Sequence, residues 1–169
     1  NFVTKHCNII YQGIGTESYI DVSLVRKCAV ESIDFSGKPV YVGEDLSMSN
    51  DNTSTMFVAY DAERDVIQIG GMAFIPADKE EIKTKTERFD YHEAIKAGEC
   101  TACGGMTIAY DVVEDWTLAI PERFGAKIGA IGYDRYNAIS SAQKWEAAGE
   151  LTVEIKQHSS VLHPATKLL

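Results

Sequence analysis

No apolar run in these 169 residues approaches the roughly 18 consecutive residues that a membrane-crossing helix needs. No basic-then-apolar leader opens the chain either, so a soluble intracellular protein with no membrane contact is the expectation. Positive charge is scarce. The 16 Lys and Arg face 25 Asp and Glu, a formal net charge of −9, which argues against a free-standing nucleic-acid binder because phosphate neutralisation needs clustered cations. It does not exclude a metal-assisted active site on DNA, since acids that hold cations inflate the count and basic surface can belong to other parts of a longer protein. The one local basic cluster, Lys79, Lys83, Lys85 and Arg88, is interleaved with Glu80, Glu81 and Glu87 and reads as a solvated helix face.

Cysteine is equally sparse. Cys7, Cys28, Cys100 and Cys103 form one CxxC with no second pair at zinc-ligand spacing, and His92, His158 and His163 lack the spacing to complete a site. Thioredoxin-like redox chemistry is disfavoured because Cys100 does not open a helix after a strand, so buried or idle thiols in a reducing cytosol are expected. A phosphate-binding G-x-x-x-x-G-K-[ST] is missing, and Gly13-Ile-Gly15 is too short to cradle phosphate. There is no initiator Met before Asn1, and Ala165 to Leu169 stops within a helical pattern. The chain therefore reads as a domain excised from something larger.

What is present is an ordinary globular composition, 45% hydrophobic, long enough for one domain with a full core. Residues 1 to 37 are loop-rich, with a short helix expected near Ser23 to Glu31 after the cap-like Asp21, and read as a lead-in arm packed on the core. Residues 38 to 169 form the main domain. Val40 to Asp45, Thr55 to Tyr60 and Val66 to Phe74 read as a three-stranded antiparallel meander, joined by the polar turns Ser47 to Thr53 and Asp61 to Asp65. Asp78 reads as the cap of a charged helix reaching Arg88, and Tyr91 to Ala97 is a second helical piece stopped by Gly98, with Gly104-Gly105 a loop. From Val112 to Phe124 a helix is expected to break late at Pro121.

Ile128 to Tyr133 is apolar throughout, as in a central strand buried on both faces. The next helix places Ile139, Ala142, Trp145 and Ala148 on one side and ends at Gly149, after which Leu151, Val153 and Ile155 alternate as a strand. A meander, helices and then β-α-β is an α/β order, that of a ribonuclease H-like mixed sheet flanked by helices.

Two segments share one construction, a short apolar strand running into an aspartate: Val40 to Asp45 and Ile128 to Asp134. Carboxylates at the C-terminal tips of neighbouring strands sit where open α/β sheets collect ligands, and two tips can converge on one metal site. The short Asp stem holds its oxygens close to rigid backbone, as an octahedral Mg²⁺ or Mn²⁺ site requires, and a pair of ions can hold both the attacking water and the leaving oxygen of a phosphodiester. Each residue alone also suits a turn or a helix cap. Asp51 stands as an auxiliary ligand or, alternatively, an Asx-turn former beside Asn50 and Asn52; Ser47 is placed to donate a hydrogen bond near the metals. Glu44 should face away from Asp45. Arg135 and Tyr136 follow closely enough to reach a phosphate, with core packing the alternative for Tyr136.

Gly43-Glu-Asp45-Leu-Ser47 followed by Asp51-Asn-Thr, with Gly132-Tyr-Asp134-Arg-Tyr-Asn-Ala138 and Gln157 downstream, resembles the nuclease domain of tailed-phage large terminase subunits. Ile20-Asp21 through Cys28, Ile33-Asp34, the Phe74-Ile75-Pro76 step and the Ala97-Gly98-Glu99 turn extend the resemblance over nearly the whole chain. The resemblance implies a ribonuclease H-like endonuclease that cuts concatemeric double-stranded DNA in the host cytoplasm with two Mg²⁺ or Mn²⁺ ions. Its implied partners are an ATPase domain in the same parent chain, a small terminase subunit and the portal. It assigns Asp45 and Asp134 as the first and second metal-binding acids and Asp51 as an extra acid near them. A third acid is expected beyond Leu169, so the isolated chain should be weakly active or inactive. A resolvase or transposase relative and a non-catalytic DNA-packaging assembly module are the alternatives.

Overall fold

The structure, a computed structural model, describes residues 22–167, which fall into two units divided between Ile33 and Asp34. In the first, helix α1 (Val22–Lys27) ends earlier than the Glu31 expected, and its anticipated cap, Asp21, lies outside the described residues.

The second unit is built on a six-stranded mixed sheet. Its strands are β1 (Pro39–Asp45), β2 (Thr53–Asp61), β3 (Val66–Pro76), β4 (Cys100–Cys103), β5 (Lys127–Tyr133) and β6 (Thr152–Glu154), in the order β4-β3-β2-β1-β5-β6. The meander β1-β2-β3 is antiparallel, while β5 pairs parallel with β1, β6 with β5 and β4 with β3. This is the expected α/β arrangement, a ribonuclease H-like sheet. Between strands run α2 (Glu80–Glu87), α3 (Tyr91–Ala97), α4 (Tyr110–Leu118), α5 (Ile120–Phe124), α6 (Arg135–Ala147) and, after β6, α7 (Ser159–Thr166).

Strand alternation sorts the sheet into two faces. Along β1 every second residue is buried, and the cross-strand rows Val42–Phe57–Gly70 and Glu44–Thr55–Met72 turn toward α4, α5 and α6. There Phe57 meets Phe35 with ring centroids 4.9 Å apart and Phe124 at 5.0 Å, and Trp116 crosses Phe74 edge-on. Removing each such side chain from water contributes about 1.5–3 kcal/mol, which is why this face organises the domain. The rows Tyr41–Val58–Ile69 and Asp45–Ser54–Ala73 face the other way, where α3 covers the sheet only beside β3 and β4 through Ile75, Tyr91, Ala94 and Cys100.

The structure adds one strand to those read from the sequence and alters other readings. Cys100–Cys103 is a strand; its four residues carry no readable period, and pairing from Ala73–Cys100 to Pro76–Cys103 creates it. The basic cluster is a solvated face only in part: Lys85 and Arg88 are exposed, whereas Lys83 is 5% exposed and Lys79 donates to a loop carbonyl, because those two side chains find acceptors outside their own helix. The buried side of α6 is Ala138, Ser141, Ala142 and Trp145, with Ile139 and Ala148 exposed, because the first residues are not regular helix. Asp78 lies in a 3-10 turn, Ala77–Lys79, and caps nothing with its side chain. By contrast Asp90 caps α3 by accepting from the Glu93 N–H at 3.0 Å, and Gly98 ends it at φ +77, a conformation glycine adopts without steric cost.

Candidate functional site

β1 and β5 run side by side in the same direction, with Glu44 opposite Tyr133. The next residue on each strand is an aspartate, so Asp45 and Asp134 emerge at adjacent tips. Together they line an open cleft of about 210 Å³ with Gly43, Gly132, Gln157 and Leu162. Gly132 leaves room for Ile155 to close against the strand: a Cβ at that position would lie 2.4 Å from Ile155 Cδ1 and would push the end of that side chain aside.

The two carboxylates are held differently. Asp45 is exposed and, among the described residues, its side chain has no hydrogen-bond or ionic partner. Asp134 caps α6, one oxygen accepting from the Tyr136 N–H at 3.4 Å, so its other oxygen is left for the cleft. Capping and cleft-lining thus coexist in one side chain. After it Tyr136 is extended and Asn137 takes φ +67, a left-handed conformation that asparagine tolerates better than most residues. Regular helix begins only at Ala138. The turn lets Asn137 Nδ2 donate to the Leu46 carbonyl at 3.4 Å, tying the second tip to the first. Tyr136 stands 78% exposed, so the core-packing alternative does not hold.

Ser47 and Asp51 lie on the loop between β1 and β2 and are not part of the cleft lining. The Ser47 backbone N–H donates to Thr53 Oγ1 at 2.9 Å, and that hydroxyl donates back to the Ser47 carbonyl at 3.0 Å. Asp51 is exposed, without a side-chain partner among the described residues, and the Asx-turn bond considered for it is not formed. Among the described residues no group of three or more His, Cys, Asp or Glu is placed to share a metal.

On the opposite side of β1, Glu44 is buried and does face away from Asp45. Thr55 Oγ1 donates to its Oε2 at 2.8 Å, and Thr117 Oγ1 lies 2.5 Å from Oε1 and 3.0 Å from the Val113 carbonyl. A hydroxyl has one hydrogen, so Thr117 cannot donate to both acceptors. With a proton on Oε1 every bond is made: Glu44 donates to Thr117, and Thr117 donates to Val113. Burial pushes the Glu44 carboxyl up to about 8, against the lowering effect of the two threonine hydroxyls. Sequence reasoning had only the alternation to go on and found the orientation of Glu44, but not this role as a neutral bolt between β1, β2 and α4.

The two thiols of the CxxC do not face each other. Cys100 and Cys103 are three residues apart on one strand and so point to opposite faces; burial pushes Cys100 up to about 11 and raises Cys103. Alkylation at neutral pH followed by mass spectrometry should label the exposed Cys28 and leave Cys100 and Cys103 unmodified until denaturant is added. Rapid labelling of Cys100 in the folded chain would contradict this.

Comparison with known proteins gives two matches. A family model described as "Terminase large subunit, endonuclease domain" matches residues 1–167. Among solved structures the fold is similar to that of the HK97 bacteriophage large terminase, with a TM-score of 0.76 and 23% identity, over 89% of this chain and 31% of that one. The chain therefore spans about a third of that terminase's length. No curated protein matches.

Proposed function

The chain belongs to the terminase large subunit endonuclease domain family, and from that premise we propose that it cuts concatemeric double-stranded DNA during bacteriophage DNA packaging by metal-dependent phosphodiester hydrolysis. The observation that carries the chemistry is the shared cleft of Asp45 and Asp134 at the tips of two paired parallel strands. The donors are carboxylate oxygens with the Gln157 amide beside them, and no Lys or Arg lines the cleft. Hard oxygen donors of this kind suit Mg²⁺ or Mn²⁺. A divalent ion bound there supplies an activated water and offsets charge on the scissile phosphate and departing 3′ oxygen. Asp45 offers both oxygens, Asp134 the one not used in capping, and the rigid strand ends keep them in place. Arg135 and Tyr136, exposed just past Asp134, are positioned to meet the DNA backbone.

Two carboxylates are few for two ions, so the chain alone is proposed to be weakly active, with additional oxygen ligands coming from elsewhere in the parent protein. The remaining partners follow the same reading: an ATPase domain in the parent chain, the small subunit and portal, all in the host cytoplasm. Among the described residues no helix is long and apolar enough to cross a membrane.

The test is cleavage by the parent protein in Mn²⁺, Mg²⁺ or EDTA, offered linear duplex, four-way junction and RNA–DNA hybrid. Duplex cutting that needs the metal is expected; preference for the junction would indicate a resolvase-type enzyme, and cutting in EDTA would end the metal reading. A chain that by itself matched the parent's rate would refute the need for further ligands. A non-catalytic assembly module is the second reading, favoured by the lack of a three-acid group among the described residues. An ion bound only by the folded state must raise the melting temperature, so a Tm indifferent to Mn²⁺ would support the module.

A further inference from the structure

Acids outnumber lysines and arginines by 25 to 16, and no cation lines the cleft of Asp45 and Asp134, so a DNA strand has to be held over that cleft by groups beside it. One such set stands immediately past Asp134. Arg135, Asn137, Ile139, Ser140 and Gln143 line an open hollow of about 330 Å³ on α6. All but Ile139 carry N–H or O–H donors, and none is a carboxylate. Cleft and hollow thus have opposite characters, acceptor and donor, and the peptide bond between Asp134 and Arg135 joins them.

The hollow exists because α6 does not begin as regular helix. Tyr136 is extended and Asn137 turns through φ +67, which brings Arg135 and Asn137 beside Ile139, Ser140 and Gln143. Those three share the exposed side of the helix by its period. The Asn137 amide is fixed by its bond to the Leu46 carbonyl at 3.4 Å, which uses one of its two N–H groups. The side chains of Arg135, Ser140 and Gln143 have no hydrogen-bond or ionic partner among the described residues. Lys38, Lys83, Lys85, Lys96 and Lys144, by contrast, each lie against a carboxylate. A metal ion does not suit the hollow, since no anionic donor lines it, and an apolar ligand would find only Ile139. A phosphodiester does suit it. Its oxygens match a guanidinium fork, and the volume admits the group with several waters at about 30 Å³ each.

We propose that this hollow seats a backbone phosphate of the DNA strand being cut, one that flanks the scissile phosphate, with Arg135 as its charged partner and Asn137, Ser140 and Gln143 as neutral donors around it. A phosphate held there fixes the strand in register over the cleft while no base is read, which gives grip without sequence preference. This seat rests on the reading of the Asp45–Asp134 cleft as the place of cutting given above.

The experiment uses the parent terminase with Arg135→Gln, Arg135→Lys, Gln143→Glu and Asp45→Asn, all at exposed positions where the fold has little to lose. KM and kcat for a linear duplex are read in saturating Mn²⁺ over a series of NaCl concentrations, and Mn²⁺ bound without DNA is read by electron paramagnetic resonance. DNA contacts made elsewhere in the parent are common to all variants and drop out of the comparison. Arg135→Gln should raise KM about tenfold, the loss falling on KM rather than kcat. It should also lower the slope of log KM against log salt by about 0.9, the loss of one phosphate contact. Arg135→Lys should keep that slope and recover only part of the affinity, being a point charge in place of a fork. Gln143→Glu sets a carboxylate against the phosphate and should raise KM at least as far. Its Mn²⁺ binding should stay the same or tighten, because added negative charge near the cleft favours a cation. The seat is overturned if Arg135→Gln leaves KM and the salt slope unchanged, if its loss falls on kcat or on Mn²⁺ binding, or if Gln143→Glu does not raise KM. Asp45→Asn separates the two readings: if it abolishes Mn²⁺ binding while Arg135→Gln leaves KM alone, only the seat is wrong. If Asp45→Asn cuts duplex and binds Mn²⁺ as the wild type does, the cleft reading falls and the seat falls with it.

Discussion

Asp134→Asn and Asp45→Asn in the parent terminase are each expected to reduce duplex cleavage in Mn²⁺ on the order of 10³-fold. Charge stabilisation by a bound divalent ion is worth several kcal/mol in the transition state, and every 1.4 kcal/mol or so is a factor of ten in rate. Removing one of the two cleft carboxylates removes a large part of that. The substitutions separate chemistry from folding unusually well. Asn at 134 still has an oxygen to accept from the Tyr136 N–H, and Asp45 has no side-chain partner among the described residues to lose. Without metal, two like charges at adjacent strand tips repel each other, so either variant should melt at the wild-type temperature or slightly above it. Addition of Mn²⁺ should raise Tm for the wild type and much less for the variants. Cleavage that stayed within tenfold of wild type for either variant would remove the cleft from the mechanism.

The second large effect concerns Glu44 and is read as stability against pH. In the unfolded chain the carboxyl ionises near its ordinary 4.5, whereas burial holds it up to about 8 in the fold. Between those values the native state keeps a proton that the unfolded state has lost, so stability is greatest below about 4.5 and falls as pH rises toward 8, levelling off above. At about 1.4 kcal/mol per unit, the wild type should lose roughly 3–5 kcal/mol across that window relative to Glu44→Gln. Glutamine is the right comparator because its amide can donate to Thr117 and its carbonyl can accept from Thr55 without any charge. Urea denaturation of both proteins in EDTA from acid to mildly alkaline pH measures the difference. Parallel curves would mean that Glu44 is ionised in the fold and that the hydrogen-bond count is wrong.

Some of this was readable from the residues in order. Val40 to Asp45 and Ile128 to Tyr133 announced themselves because a strand bordered by an acid and a turn is a local pattern, and Gly98 marked the end of α3 because a left-handed C-terminus is a local need. Glu44 was correctly turned away from Asp45 by alternation alone. Local signals failed where the deciding partner lay far off in the chain. Cys100–Cys103 is a strand because β3 offers it an edge. Lys83 is buried because Asn50, 33 residues earlier, presents a carbonyl to it. The first turn of α6 departs from the expected helix because Asn137 bonds to Leu46, 91 residues away.

Order of the elements other than β4, the α/β class and the two tip aspartates were therefore settled by the amino-acid sequence, since period, turn chemistry and strand ends depend on neighbours a few positions apart. Which side chains are charged, clamped or free was decided only in three dimensions: whether Glu44 keeps its proton, whether Lys83 meets water, and whether Asp51 stands in the cleft or on a pinned loop beyond it. Those outcomes depend on dielectric and on donors brought in from distant segments, and neither exists until the sheet has assembled and expelled water from one of its faces.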